Sequence, residues 1–159
     1  MDDFMPNVND EQLLSLVDDF IQTASSHHSA LEAVVGLLAS NYKHFNWMGI
    51  YIFEDGILKL GPFRGVPSPH VTIPTDKGIC GASFREKSTV VIPDVKSDPR
   101  YLACSPSTKS EIVVPIFKNG GVVAEIDVDS DYPDAFSEID KKVLEEVASR
   151  LSQLFKKSG

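Results

Sequence analysis

Basic residues are scarce in this chain: 15 Lys and Arg stand against 23 Asp and Glu, a net charge of −8 over 159 residues. A surface of that sign repels phosphate backbones, so nucleic acid is not an expected partner. Cysteine is scarcer still. Cys80 and Cys104 make at most one disulfide, too few to replace a core in a secreted scaffold. The four histidines, His27, His28, His44 and His70, share no zinc-type spacing with cysteine or with one another, so no metal site is expected. The amino terminus, Met1-Asp2-Asp3-Phe4, carries acids where a secretory signal needs a basic patch, and no apolar run is long enough to span a membrane. The expectation is a cytoplasmic protein without a membrane partner. Apolar residues at 42% and charged residues at 24% support a folded core rather than disorder, and the length suits one domain over 1–159 with one site.

Hydrophobic spacing sets out the elements. Leu13, Leu14, Leu16, Val17, Phe20, Ile21 and Ala24 recur at three- and four-residue intervals, which predicts an amphipathic helix over 11–24. A second helix is predicted through Leu31, Val34, Val35, Leu38 and Ala39, with Ser29 as its cap and Asn41 near its end. Trp47 to Phe53 and Ile57 to Leu60 flank Asp55-Gly56 as a β-hairpin. Pro62, Pro67, Pro69 and Pro74 then argue for a loop with a short strand over 71–73. Gly78 to Phe84 opens a short helix, and Thr89 to Ile92 forms a buried strand. The segment from Pro93 to Ser110 is longer than most connections in a compact domain and is expected to be irregular. Glu111 to Lys118 and Val122 to Asp129 flank Asn119-Gly120-Gly121 as a second hairpin. A closing helix starts at Ser137 with Asp140 and carries Ile139, Val143, Leu144, Val147, Leu151, Leu154 and Phe155 as its apolar stripe. Hairpins and terminal helices together predict an α+β sandwich with an antiparallel sheet.

Four features bear on chemistry. Glu125, Asp127 and Asp129 alternate with Ile126 and Val128, so the acids share one strand face, and a tight turn brings Glu111 close to Asp129. The plain reading is a solvated sheet face; the sharper one is a pocket for a cationic group, in which crowded acids raise one another's pKa and hold a proton near neutral pH. Cys80 follows a glycine at a helix start, where backbone N–H groups favour a thiolate, while Cys104 lies in the irregular segment; both are alternatively plain thiols without a task. Trp47 and Tyr51 lie four apart on one strand, hence on one side, either as core or as the wall of an apolar pocket above the acids. His70, in a proline-bounded loop, is expected to be exposed, with a base near a thiol as its functional alternative.

Taken together, Asn46-Trp47-Met48-Gly49-Ile50-Tyr51, Gly61-Pro62-Phe63-Arg64-Gly65, Gly78-Ile79-Cys80-Gly81, Ala103-Cys104, Ser110-Glu111-Ile112-Val113-Val114-Pro115 and Asp127-Val128-Asp129-Ser130 resemble the free methionine-R-sulfoxide reductases, which are GAF-domain enzymes. The resemblance covers about residues 10–155. It implies a GAF-like fold: a central antiparallel sheet with terminal helices on one face and a ligand pocket on the other. It further implies that Cys104 attacks the sulfoxide sulfur with Cys80 within reach. By the same resemblance Glu111, Asp127 and Asp129 hold the substrate ammonium and sulfoxide oxygen, and Trp47 and Tyr51 wall the methyl end. The implied partners are free methionine-R-sulfoxide and a dithiol reductant such as thioredoxin. A homodimer is implied, and no metal or organic cofactor. The chain departs from the family at His70, where a third, resolving cysteine usually stands; recycling then falls to Cys80 or to an outside thiol.

Two other functions fit parts of the pattern. A noncatalytic GAF module would bind a small molecule and signal through a partner. A thiol redox sensor would use Cys80 and Cys104 as a switch, with the acids incidental. Fold alone does not choose among them.

Overall fold

The computed structural model describes residues 7–103 and 105–155. Two helices open the chain. In α1 (Asp10–Thr23), the Asn9 side chain accepts from the Gln12 backbone N–H while Gln12 accepts from that of Asn9, a reciprocal cap. In α2 (His27–Asn41) the cap is Ser26, whose Oγ accepts from the Ser29 N–H at 3.0 Å. The expected cap at Ser29 is therefore corrected by one turn: Ser29 supplies the N–H that the capping oxygen satisfies.

The strands are β1 (Trp47–Glu54), β2 (Ile57–Arg64), β3 (Thr72–Pro74), β4 (Val90–Ile92), β5 (Ser110–Lys118) and β6 (Gly121–Ser130). They form one antiparallel sheet in the order β3-β2-β1-β6-β5-β4. Both hairpins turn where the sequence predicts. Asp55 and Gly56 adopt φ of 55° and 77°, and Asn119 and Gly120 adopt 54° and 83°, the paired positive values that a two-residue hairpin turn matched to strand twist requires.

The proline-rich stretch departs from expectation. Strand β2 runs on through Pro62 to Arg64 instead of ending at Leu60, and the short strand begins at Thr72. The pairing of β1 with β2 shifts register between Gly49 and Tyr51, opposite 60–63. Proline is tolerated in strands at such irregularities because no ladder hydrogen bond is asked of it there. Among its described residues the long segment after Pro93 contains one 3-10 turn, Val95–Ser97.

Helix α4 (Glu138–Leu151) starts with the reciprocal cap between Ser137 and Asp140. Asp140 also accepts from His44 Nε2 at 2.9 Å in a buried pair, which ties the approach to β1 onto the helix start. Ile139, expected in the apolar stripe, is exposed: it sits in the first turn, beside the buried Asp140.

Alternation along the strands splits the interior into two parts. Met48, Ile50, Ile112, Val114, Ile126 and Val128 face α1, α2 and α4 and form the main core. The other face is covered by α3 (Gly78–Glu86), which packs on β5 and β6, and carries Trp47, Tyr51, Leu58, Ile79, Cys80 and Val113. Among the described residues no helix is long and apolar enough to cross a membrane.

Candidate active site

Strand β6 supplies the acids. Glu125, Asp127 and Asp129 project to the α3 side, and all three are buried, with Glu125 fully so. Glu111 on β5 is directly opposite Asp129, and Val113 is opposite Asp127. On the other flank β1 places Trp47 opposite Asp129, Gly49 opposite Asp127 and Tyr51 opposite Glu125. The two hairpins are thus neighbours through β1 and β6, and the acids lie between an aromatic strand and a carboxylate-bearing one. The plain reading of a solvated face does not hold, because α3 covers it.

Cys80 lies in the first turn of α3, and its sulfur and one oxygen each from Glu111 and Asp127 all lie within 4.8 Å of one another. Burial, followed by the charges of Asp127, Glu125, Glu111 and Asp129, pushes this thiol well above its ordinary pKa. The helix-start argument for an acidic thiol is therefore overturned: burial and four carboxylates outweigh the partial charge of a helix terminus. The same forces act on the acids. Burial and then Asp127 raise Glu125 and Asp129 well above the ordinary carboxylate range, and burial raises Asp127. Burial and crowding thus favour the protonated form of each of these carboxyls.

Several of these atoms have no hydrogen-bond partner among the described residues: Asp127 Oδ1, Asp129 Oδ1, both Glu125 oxygens and the indole Nε1 of Trp47. Such atoms in a buried pocket point to a ligand that supplies the missing partners, because leaving them unpaired costs about 1–3 kcal/mol each. The set asks for a ligand that donates to carboxylates and accepts from an indole.

His70 is half-buried rather than exposed. Its Nε2 donates to the Ala103 carbonyl at 3.0 Å, and its own carbonyl accepts from the Tyr51 hydroxyl at 2.7 Å. It shares a small cavity with Cys80, Glu111 and Asp127. The 65–71 loop and the segment leading to Cys104 are thereby joined above the acids. Cys104 itself lies outside the described residues.

Residues 15–155 match the GAF domain family. The chain is 34% identical over 142 residues to GAF domain-containing protein A of Dictyostelium discoideum, covering 89% of each. It is 30% identical over 130 residues to the free methionine-R-sulfoxide reductase of Escherichia coli, covering 82% of this chain and 78% of that one. The structure of the Neisseria meningitidis free methionine-R-sulfoxide reductase in complex with its substrate superposes with a TM-score of 0.86 at 30% identity, over 92% of this chain and 87% of that one. This chain belongs to the GAF-domain free methionine-R-sulfoxide reductase family. It is a family of oxidoreductases, and the six-stranded antiparallel sheet with helices on both faces is its fold.

Two features of this GAF domain escape sequence reasoning. Gly49 lies under the Trp47 indole, where an added Cβ would stand 2.8 Å from the ring and 3.0 Å from Phe63 Cβ. Ser83, fully buried on α3, donates to the Ser88 carbonyl at 2.8 Å beside Glu125. Neither residue carries a local signal, since both follow from which elements meet.

Proposed function

We propose that this protein reduces free L-methionine-(R)-S-oxide to L-methionine. The observation that carries the reading is the row of buried, partner-poor carboxylates beneath Trp47 and Tyr51. An ammonium group donates to carboxylates, whereas a peptide nitrogen is neutral and would leave them unpaired, so the free amino acid is the fitting substrate. Family relatives named for this reaction support the same substrate.

A sulfoxide oxygen leaves only when protonated, so the chemistry needs an acid beside a sulfur nucleophile. Asp127 and Asp129, held above the ordinary carboxylate range by burial, are proton sources, with Glu111 adjacent to both. In the proposed cycle the Cys104 thiolate attacks sulfur. The oxygen takes a proton and passes to Cys104 as a sulfenic acid, and methionine leaves with its sulfur reduced by two electrons. A second thiol, Cys80 or an external one, condenses with the sulfenic acid, forming a disulfide and releasing water. An external dithiol such as thioredoxin then supplies two electrons to reopen the disulfide. Trp47 and Tyr51 flank the methyl end. The expected setting is a homodimer in the reducing cytoplasm.

The test measures methionine formed from the R and S epimers of free methionine sulfoxide, with a peptide-bound control, using dithiothreitol and separately thioredoxin with its reductase and NADPH. R-selective turnover of the free amino acid is expected. Cys104→Ser should abolish even a single turnover, whereas Cys80→Ser should slow only repeated cycles. Binding without product would instead indicate a noncatalytic GAF module. A disulfide that forms with peroxide and ignores the sulfoxide would indicate a redox sensor.

A further inference from the structure

The proposed reaction leaves one buried acid without a task. Glu125 lies two positions along β6 from Asp127, on the side away from Asp129, so it stands at the Cys80 end of the carboxylate row rather than the Trp47 end. It is fully buried, neither oxygen has a hydrogen bond of ordinary geometry among the described residues, and the Ser83 hydroxyl and Cys80 thiol lie near enough to temper its raised pKa. The nearby Ser83 hydroxyl is already committed to Ser88.

We propose that Cys80, Glu111 and Asp127 bind one divalent ion of the zinc, cobalt and cadmium class, with Glu125 as an additional oxygen donor. One sulfur and two oxygens already lie within 4.8 Å of one another on three separate elements, α3, β5 and β6. Bonds of about 2.0–2.3 Å around a tetrahedral ion place donors about 3.5 Å apart, so closing the site takes side-chain shifts of about 1 Å. A thiolate beside carboxylates suits a borderline metal, whereas magnesium and calcium take all-oxygen shells. Access is through the small cavity that half-buried His70 shares with Cys80, Glu111 and Asp127.

The ion is a competing ligand, not a structural or catalytic cofactor. It uses Glu111 and Asp127, the groups assigned to substrate, so on the reductase reading the ion and free methionine-R-sulfoxide exclude each other. An ion on Cys80 would also withhold that thiol from disulfide formation. This makes the family's reaction sensitive to free transition metal at a defined residue.

The test titrates chelator-treated, fully reduced protein with Co2+, and separately Cd2+, in anaerobic thiol-free buffer. A saturable thiolate-to-metal charge-transfer band at one ion per chain is expected, absent with Mg2+. The band should vanish in Cys80→Ser and persist in Cys104→Ser, and binding should weaken about tenfold or more in Glu125→Gln. Zn2+ should raise the melting temperature of the unaltered protein, a readout that depends on no variant. The proposal fails if the unaltered protein shows no saturable band, if the band survives loss of Cys80, or if it follows Cys104. Adding free methionine-R-sulfoxide separates the two readings: displacement of Co2+ supports both. A band untouched by saturating sulfoxide keeps the metal site and overturns the shared use of Glu111 and Asp127.

Discussion

Glu111 and Asp129 stand directly opposite each other across β5 and β6, two buried carboxyl groups in which a Glu111 hydrogen bond only partly offsets the burial that raises the Asp129 pKa. A protein that keeps this pair trades stability for a site. Asp129→Asn is expected to stabilise the ligand-free protein in urea by about 0.2–1 kcal/mol, the scale of a cross-strand pair. The same change should weaken substrate binding by about tenfold to about a hundredfold, since a hydrogen bond to a charged group is worth about 1.5–3 kcal/mol. Urea unfolding and steady-state KM on one preparation check both signs.

The fully buried Glu125 sets a pH dependence. Its folded-state pKa lies above the ordinary 4.5, so the folded state binds the proton more tightly than the unfolded chain. Its favourable contribution is therefore complete below about pH 4.5 and declines as pH rises toward the folded-state value. Relative to Glu125→Gln, the unaltered protein should lose stability as pH rises above about 4.5 toward the raised folded-state value. Unfolding curves of both proteins across that range test it, and a constant difference would contradict it.

Cys80 should be a slow thiol in the resting protein. Burial and four surrounding carboxyl groups hold it in the protonated form, and the thiolate is the species that alkylates. Iodoacetamide labelling near neutral pH, read by peptide mass spectrometry, is expected to be at least about tenfold slower in the folded protein than in urea, each pH unit of raised pKa accounting for about a tenfold loss of thiolate.

Gly49 lets the Trp47 ring lie close against the β1 backbone in the pocket wall. A methyl group there would crowd the Trp47 ring and Phe63, and the flexible Leu60 end at 3.2 Å gives little relief. Gly49→Ala is expected to cost about 1–3 kcal/mol of stability through overpacking. It should also raise KM more than it lowers kcat, because it displaces a wall residue and leaves the acids in place. Thermal unfolding, tryptophan fluorescence and kinetics together read the change.

Much of the frame was legible residue by residue. The hairpins followed from Asp55-Gly56 and Asn119-Gly120, the closing helix from Ser137 and Asp140, and the shared face of Glu125, Asp127 and Asp129 from a period of two. These are local facts, written in neighbouring residues. Pro62 misled because a proline forbids a regular ladder position but not an irregular one, and that irregularity depends on how β1 pairs with β2.

What the tertiary structure alone decided is what covers the acid face. Alternation tells which residues share a side of a strand and says nothing about what lies above it. The packing of α3 on β5 and β6 turned a face that could have been solvated into a buried one, and the same burial reversed the expected acidity of Cys80. The pairing of β1 with β6, strands far apart in the chain, set Trp47 and Tyr51 against Asp129 and Glu125. Desolvation and charge crowding depend on every group within a few ångströms, so the chemistry of these carboxyls and this thiol is settled only when the whole chain has folded around them.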